Sequence, residues 1–188
     1  MVYCVDYRHP IVLAKAAAMA QFFSGGRIEF GIGAGWSKED YSQSNIPMDK
    51  PLKRISRLEE SVKIIKSLWS NEKTSYEGEH FVIKDAANAQ DLDGLPPPAL
   101  LIGGGGRHVL SMAGRHADIV SLIPSIPEGV LTAEVMKRGM LEDYRMKVKW
   151  VRESAEKARR DAGDIEFSAS TIARAALSLN SQQTYLNS

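Results

Sequence analysis

Cysteine, histidine and long apolar segments are all scarce in this 188-residue chain, which has one cysteine and four histidines. Cys4 by itself cannot form an internal disulfide, and no basic segment leads into an apolar one as in secretory signals. The alanine-rich stretch from Ile11 to Phe23 is interrupted by Lys15 and Gln21, whereas a bilayer-spanning helix needs about 18 uninterrupted apolar residues. We therefore expect a cytoplasmic protein with no membrane partner.

An excess of charge of one sign is also missing. Lysine and arginine number 24 and aspartate and glutamate 23, so the net charge of +1 gives no electrostatic basis for a nucleic-acid partner. No His or Cys pair has the spacing of a metal site, and no serine nucleophile elbow occurs. The acid pairs Glu39-Asp40 and Glu59-Glu60 are expected on solvated surfaces. With no metal site predicted, redox chemistry would have to come from a bound cofactor.

Strand-like and helix-like segments alternate along the chain. The predicted strands are Val2 to Val5, Arg27 to Ile32, Ala99 to Ile102, Asp118 to Ile123 and Ile165 to Ile172. The predicted helices start at Pro10 (ending at Ser24-Gly25-Gly26), at Pro51 (ending near Trp69), at Arg107 (ending at His116) and in a charged segment with Tyr144, Val148, Val151, Ala155 and Ala158 on one face. Tyr76 to Ile83 predicts a hairpin or an edge strand, and Trp36 to Lys50 and Asp85 to Pro98 predict polar loops.

This alternation predicts a parallel sheet covered by helices, either a barrel or an open doubly wound sheet. The barrel is favoured because two glycine-rich turns follow the carboxyl ends of strands, and the second of them follows a late strand. An open sheet obeys the same strand-end rule, so both architectures remain possible at this point.

The later glycine turn joins the strand ending at Ile102 to a helix through four consecutive glycines. Residues without Cβ let the backbone approach a ligand closely, and the amides that open a helix attract phosphate. We predict a phosphate site here rather than a tight turn without a ligand, which would need only one or two glycines. A Cβ at Gly104 or Gly105 is expected to weaken phosphate binding and to leave the fold intact.

The earlier glycine turn runs from Gly31 to Trp36. Its Gly-x-Gly-x-Gly spacing differs from the dinucleotide fingerprint, and Lys53-Arg54 stand about 20 residues on, where that fingerprint needs an acid. A strand end that admits a flat ring or a sugar explains the same glycines. Trp36 is predicted to face that pocket, whereas Trp69 and Trp150 are predicted to belong to the core.

Four blocks of sequence resemble the luciferase-like monooxygenase superfamily, and in combination they most resemble its F420-dependent oxidoreductases. The blocks are RHPIVLAK from Arg8, FSGGRIEFGIGAGW from Phe23, PPALLIGGGG from Pro97 and AGRHAD from Ala113. The resemblance implies a (β/α)8 TIM barrel that transfers a hydride between coenzyme F420 and a small organic substrate. Two alternatives stay open, namely an FMN-dependent monooxygenase and a non-catalytic, truncated cofactor-binding homologue.

The resemblance also implies where the cofactor lies, although it indicates no catalytic residue because Trp36 stands where some relatives carry a glutamate. The residues expected to bind the cofactor phosphate are Gly103, Gly104, Gly105, Gly106, Arg107 and His108. The residues expected to line the ring or substrate pocket are Tyr7, His9, Gly33, Gly35 and Trp36.

Other polar residues have competing interpretations. His9, just before Pro10, is either a structural cap or a group that faces the ring. His116 and His80 are expected at a helix end and on the surface. Arg8 and Arg115 could bind phosphate, although the helix dipole is sufficient to explain Arg115.

The length of the chain predicts an incomplete barrel. Eight strands take about 250 residues, whereas this chain offers about five core strands and starts within what resembles the third. We expect one partial barrel domain over residues 1–188, with early strands missing and open sheet edges at Val2 to Val5 and near Ile165. Because open edges favour pairing, a homo-oligomer is expected.

Overall fold

A computed structural model describes residues 2–87, 92, 94–126 and 141–169, and the secondary structure alternates between strands and helices. The strands are β1 (Val2–Cys4), β2 (Glu29–Gly33), β3 (Lys73–Glu77), β4 (Val82–Ala87), β5 (Ala99–Gly104), β6 (Ile119–Leu122) and β7 (Glu166–Ala169). The α-helices are α1 (Pro10–Ser24), α2 (Lys38–Gln43), α3 (Pro51–Ser70), α4 (Arg107–His116) and α5 (Leu141–Lys157). Short 3-10 turns cover Val5–Tyr7 and Ala162–Asp164.

Five parallel strands form the main sheet in the order β1-β2-β5-β6-β7. The order advances in one direction without reversal, as in a (β/α) barrel, whereas a doubly wound sheet reverses at a switch point. Within the described residues β1 and β7 are the two edges of this sheet. The prediction of an incomplete barrel is therefore confirmed.

The hydrophobic core lies between one face of the sheet and the helices. Alternating strand residues face it, and the central ones are almost completely buried: Phe30, Ile32, Leu100, Ile102, Val120 and Leu122. Helix α3 contributes Leu58, Val62, Ile65 and Leu68, spaced by three and four as the sequence predicts, and each is fully buried. Burying one such side chain contributes about 1.5–3 kcal/mol, so this face of α3 stabilises the core.

Helix α1 begins and ends at the residues that the sequence indicates. Pro10 occupies its first position, and the Nδ1 atom of His9 accepts a hydrogen bond from the N–H of Ile11 at 3.3 Å. Gly25 ends the helix in the left-handed conformation at φ +66°, which glycine adopts without strain. The structural interpretation of His9 as a cap is thus confirmed.

The polar loop predicted from Trp36 to Lys50 is wrong in part, because α2 lies within it. Ser37 caps this helix by accepting a hydrogen bond from the N–H of Asp40 at 3.2 Å. The predicted hairpin at Tyr76 to Ile83 is confirmed, with longer strands, β3 and β4, in an antiparallel pair. The second half of the predicted strand from Ile165 to Ile172 lies outside the described residues.

The acid pair Glu59-Glu60 is not solvated, which corrects the prediction for these residues. Glu60 is buried and its carboxylate accepts hydrogen bonds from the N–H groups of Glu79, His80 and Phe81 at 2.8–3.2 Å. This carboxylate fixes the hairpin turn against α3. The side chain of His80 is only 6% exposed, so its expected place on the surface is also wrong.

Glu59 joins α3 to the end of α4. Its carboxylate accepts hydrogen bonds from Arg115 at 2.8 Å and contacts the Nε2 atom of His116 at 2.9 Å. Burial raises the pKa of Glu59, but these two partners outweigh it and leave the pKa below its ordinary value. Burial lowers the pKa of His116. Arg115 therefore forms an ion pair with Glu59. The sequence-based explanation of Arg115, a favourable interaction with the dipole of its helix, did not predict this pair.

Among the residues that the structure describes, no helix combines the length and apolar character required to cross a membrane.

Candidate functional site

Two glycine turns lie side by side at the carboxyl edge of the sheet. The first follows β2 and the second follows β5, and these two strands are direct neighbours that pair Ile32 with Ile102. A Cβ added at Gly33 would lie 3.8 Å from the carbonyl oxygen of Gly103. We call them the β2 turn (residues 33–36) and the β5 turn (residues 103–106). A ligand at this edge could contact both.

The β5 turn is open to solvent where it meets α4. Gly106, Arg107 and His108 are exposed, and nothing lies within 4 Å of a Cβ built at Gly106. Gly106 is the N-cap residue, and no side chain of the described residues caps the helix. The first N–H groups of α4 therefore point into open space with the positive end of the helix dipole, which is the arrangement that binds phosphate.

The interior glycines of the β5 turn are required by packing. A Cβ at Gly105 would lie 2.5 Å from the carbonyl oxygen of Pro124 and 2.6 Å from that of Ile123, and a Cβ at Gly104 would overlap Val109. The expectation that a Cβ at Gly105 leaves the fold intact is wrong, since the obstructing atoms are backbone. Gly106, where a Cβ meets nothing within 4 Å, therefore offers the space for a clean test.

The segment after β6 supports the β5 turn from behind. The N–H of Ile123 donates to the carbonyl of Gly104 at 3.1 Å, and the Oγ atom of Ser125 donates to that of Gly105 at 2.7 Å. The buried ammonium of Lys147 donates to the carbonyl of Ile123 at 2.8 Å and to the carboxylate of Asp143 at 2.6 Å. Helix α5 thus holds the loop against which the glycines pack.

Two arginines that the sequence offers as phosphate ligands, Arg107 and Arg8, stand over aromatic rings. The guanidinium of Arg107 lies 5.9 Å from the ring centroid of Trp150, and that of Arg8 lies 5.5 Å from the ring of Tyr3. Trp150 is partly buried against the core, and Trp69 is buried with its indole N–H donating to the carbonyl of Ala14 at 3.0 Å. Both tryptophans occupy the core region as predicted.

The β2 turn, in contrast, is braced from below by α2 and α3. Gly35 has φ +75°, and a Cβ there would overlap the hydroxyl of Tyr41 and lie 2.7 Å from the Sγ atom of Cys4. One guanidinium nitrogen of Arg54, Nη1, donates to the carbonyls of Ala34 and Gly35. Trp36 is 44% exposed, so it does not lie beneath the helices.

Tyr41 connects the β2 turn to the end of β1. It is 2% exposed, its hydroxyl donates to Asp6 at 2.6 Å, and Cys4 lies 3.4 Å from the same oxygen. Burial raises the pKa of Tyr41 above its ordinary value, and the bond to Asp6 raises it further. Burial also raises the pKa of Cys4. Both groups therefore stay protonated at neutral pH.

Arg57 of α3 completes this network. Its guanidinium pairs with Asp6 at 2.6 Å and also with Asp49. The hydrogen bond from Arg57 lowers the pKa of Asp49. The network joins β1, the segment before α3, and α3 itself, so it fixes the relative positions of the loops at this edge.

A pocket of about 440 Å³ opens beside this network. Its lining includes Tyr7, His9, Asp49, Arg57 and Phe81. The ring of Phe81 meets that of His9 edge to face, with centroids 5.4 Å apart. Two predicted pocket residues, Tyr7 and His9, therefore share this cavity. The residues that line it do not include the β2 turn or the β5 turn, so the predicted pocket residues fall into two groups.

Sequence reasoning missed Tyr41, Arg54 and Lys147, which hold the two turns in place. The signal for Tyr41 was Ser37 followed by acidic residues, which is typical of a helix start. Nothing local marks the roles of Arg54 and Lys147, because the carbonyls that they hold, those of Ala34, Gly35 and Ile123, lie about 20 residues away in sequence. Among the described residues no cluster of potential ligands could hold a metal ion.

The strand order and the glycine turns at the carboxyl ends of the strands define this chain as part of a (β/α) barrel. The chain belongs to the luciferase-like monooxygenase family, whose sequence profile matches residues 1–178.

Curated relatives carry names of F420-dependent dehydrogenases. The chain is 30% identical over 139 residues to the F420-dependent glucose-6-phosphate dehydrogenase of Amycolatopsis mediterranei, covering 67% of this chain and 41% of the relative. It is also 30% identical over 116 residues to the F420-dependent hydroxymycolic acid dehydrogenase of Mycobacterium tuberculosis, covering 61% of this chain and 31% of the relative. The chain thus spans less than half the length of these proteins.

Solved structures agree on the fold. An F420-dependent secondary alcohol dehydrogenase bound to an F420-acetone adduct matches with a TM-score of 0.70 at 19% identity, covering 89% of this chain and 47% of that one. The coenzyme F420-dependent tetrahydromethanopterin reductase of Methanopyrus kandleri matches with the same TM-score at 22% identity and the same coverage. The likeness shows the barrel architecture, again over about half of the longer chain.

Proposed function

We propose that this chain binds the phosphate of coenzyme F420 at the β5 turn and serves hydride transfer between F420 and a small organic substrate. The single observation that carries the proposal is the uncapped, exposed N-terminus of α4 behind Gly106. The names of the curated relatives supply the identity of the cofactor. When bound, the deazaflavin supplies the hydride chemistry, and the protein supplies position and electrostatics.

The residues present fit a phosphate group. Gly106, Arg107 and His108 are exposed around the open helix end, and Gly103 and Gly104 let β5 run into it without side chains. Lys147 and Ser125 hold the supporting loop, so the donors need little reorganisation when a phosphate arrives. FMN also carries a phosphate group, and it is the alternative cofactor.

The ring of the cofactor and the substrate are assigned to Tyr7, His9, Gly33, Gly35 and Trp36. Trp36 supports this assignment because it is a large exposed aromatic beside a glycine turn at the strand ends. Trp36→Ala is expected to impair ring binding or turnover more than stability. Equal binding and turnover in this variant would remove Trp36 from the site.

A fluorescence titration with F420 and with FMN tests the cofactor. Gly106→Asp places a carboxylate where it can accept hydrogen bonds from the first N–H groups of α4 and repel a phosphate. We expect the affinity for the cofactor to fall about tenfold or more. Gly106→Asn is the matched control, because it caps the helix without charge and should weaken binding less. Preference for FMN would favour a monooxygenase, and no binding of either cofactor by the folded protein would favour the non-catalytic homologue.

The proposed assembly is a homo-oligomer, and the proposed compartment is the cytoplasm. The strands β1 and β7 offer unpaired edges within the described sheet, and such edges pair with other strands unless they are covered. Sedimentation velocity over a range of concentrations measures the assembly. A monomer at every concentration would contradict the oligomer.

A further inference from the structure

The β2 turn presents two successive carbonyls to one atom. The Nη1 atom of Arg54 donates hydrogen bonds to the carbonyl oxygen of Ala34 at 3.2 Å and to that of Gly35. In an extended strand successive carbonyls point in opposite directions. The positive φ of Gly35, +75°, lets two neighbouring carbonyls turn to the same side.

The same geometry fixes the direction of two N–H groups. The described residues contain no cis peptide bond, and in a trans peptide the N–H points opposite to the C=O of the same plane. The N–H of Gly35 shares its plane with the carbonyl of Ala34, and the N–H of Trp36 with that of Gly35. Both N–H groups therefore point away from Arg54 and from α3.

Neither of these N–H groups donates a hydrogen bond to any residue that the structure describes. The donors belong to adjacent residues, of which Gly35 is half-buried and Trp36 is exposed. The side chain of Arg54, which holds their direction, is only 7% exposed. Backbone donors in such a turn form concavities that bind negatively charged or carbonyl oxygens. A ligand oxygen is thus the acceptor that this turn lacks.

The charge behind the turn favours a negative oxygen. Arg57 pairs with both Asp6 and Asp49, and Lys53 also pairs with Asp49 at 3.1 Å. Arg54 forms no ion pair with a carboxylate among the described residues, and its Nε atom has no partner there. Its positive charge is buried with only carbonyls and the Tyr41 ring, 5.8 Å away, to stabilise it.

We propose that the N–H groups of Gly35 and Trp36 form a subsite for a carbonyl or anionic oxygen, with Arg54 as the positioning residue that holds them. The identity of its occupant rests on the proposed function: the oxygen belongs either to the deazaflavin ring or to an anionic substrate. Arg54 acts through the two carbonyls, and it does not touch the ligand.

Amide NMR of the ¹⁵N-labelled full chain tests the subsite directly. The probes are a deazaflavin nucleoside without phosphate, sodium acetate and inorganic phosphate. We expect the amide protons of Gly35 and Trp36 to move downfield and to saturate together with one probe. Saturation with the nucleoside assigns the subsite to the ring, saturation with acetate or phosphate assigns it to a substrate anion, and no shift with any probe overturns the proposal.

Variants of Arg54 test its positioning role. Arg54→Lys keeps the charge but loses the planar guanidinium, and we expect affinity at the subsite to fall about tenfold, as for the loss of a charge-assisted hydrogen bond. Arg54→Met removes both, and its amide spectrum shows whether it folds. Arg115→Met is the matched control, because Arg115 pairs with Glu59 on the other side of α3 and should leave the subsite unchanged. Unchanged affinity in folded Arg54→Lys and Arg54→Met would overturn the role of Arg54.

The amides of the β5 turn distinguish this proposal from the proposed function. If F420 leaves Gly106, Arg107 and His108 unshifted while acetate shifts Gly35 and Trp36, the cofactor assignment fails and the subsite stands. If F420 shifts the β5 turn and no probe shifts the β2 turn, the subsite fails and the cofactor assignment stands.

Discussion

The β2 turn and the β5 turn have similar glycine-rich sequences and occupy neighbouring positions, yet they are built in opposite ways. Buried side chains brace the first, with Arg54 and Tyr41 directly beneath it. In the second, Gly105 packs against the backbone of Ile123 and Pro124, whereas Gly106 faces open space. The difference shows that the space left by a missing Cβ can serve two purposes. At one glycine other side chains of the protein fill it, and at another it stays open to a ligand.

Physical chemistry separates the two cases. At Gly35 the missing Cβ makes room for Tyr41 and permits a positive φ, so this glycine serves the fold. At Gly106 φ is −93°, which any residue adopts, and no atom occupies the space of the missing Cβ. Only the second position is free of a structural need for glycine.

The largest effect is expected when the braced turn is broken. Gly35→Ala forces a side chain into the left-handed region and against the Tyr41 hydroxyl, and it should lower the free energy of unfolding by about 3 kcal/mol. Gly106→Ala, the matched change in the open turn, should lower it by less than about 0.5 kcal/mol. Urea unfolding of both variants measures the contrast, and equal losses would contradict it.

Tyr41→Phe tests the hydroxyl within the brace. The variant keeps the buried ring but leaves Asp6 without one donor, so stability should fall by about 1–2 kcal/mol. Arg57 still neutralises Asp6 and limits the loss. Thermal unfolding measures it, and a loss below the error of the method would mean that the ring alone positions the turn.

Acid should weaken the far end of α4, where Glu59 pairs with Arg115 and His116. The pKa of Glu59 is lowered, so its stabilisation is present above its ordinary value of 4.5 and is lost as the pH falls through the folded value. The pKa of His116 is lowered in the folded protein, so protonating this side chain favours the unfolded state. The stability of the fold therefore declines as the pH falls below the ordinary His pKa of 6.5.

Glu59→Gln therefore should cost about 1 kcal/mol at about pH 5, where Glu59 is ionised, and progressively less as the pH falls through the folded pKa of Glu59, which lies below 4.5. Urea midpoints of this variant and of the unmodified chain, measured between about pH 5 and pH 2, test the sign. A loss in the variant that grows over this range would contradict it. The amides of the β5 turn, at the other end of the helix, serve as an internal control.

The smallest effect is expected from capping the open turn. Gly106→Asn supplies the side-chain acceptor that α4 lacks, and it should raise the free energy of unfolding by a few tenths of a kcal/mol. Chemical unfolding with several repeats can resolve this gain. A clear loss would show that Gly106 is needed for the fold, which would remove the contrast with Gly35.

Much of the fold could be predicted from local patterns. Pro10, Pro51 and the glycines after Ser24 mark helix ends through backbone geometry, and the spacing from Leu58 to Leu68 marks a buried face. Such signals need no knowledge of distant residues. Helix α2 was missed because its six residues are mostly polar and only Tyr41 is buried.

The candidate site was predictable only in outline. The glycines and Trp36 could be found, since a missing Cβ is visible in the sequence. The roles of Glu60 and His80 could not, because a polar residue is buried only when distant backbone donors or packing compensate for the loss of water. Glu60 meets such donors at Glu79, His80 and Phe81, about 20 residues further along the chain.

The sequence by itself determined the alternation of parallel strands with helices, the positions of the two glycine turns and the resemblance to the family. These follow from hydrophobic periodicity, turn residues and motif order, which are all local properties of the chain. Only the tertiary structure decided that the β2 turn is braced and the β5 turn is open at Gly106. The reason is that space around a glycine depends on which side chains the other elements bring there, as α2 and α3 bring Tyr41 and Arg54.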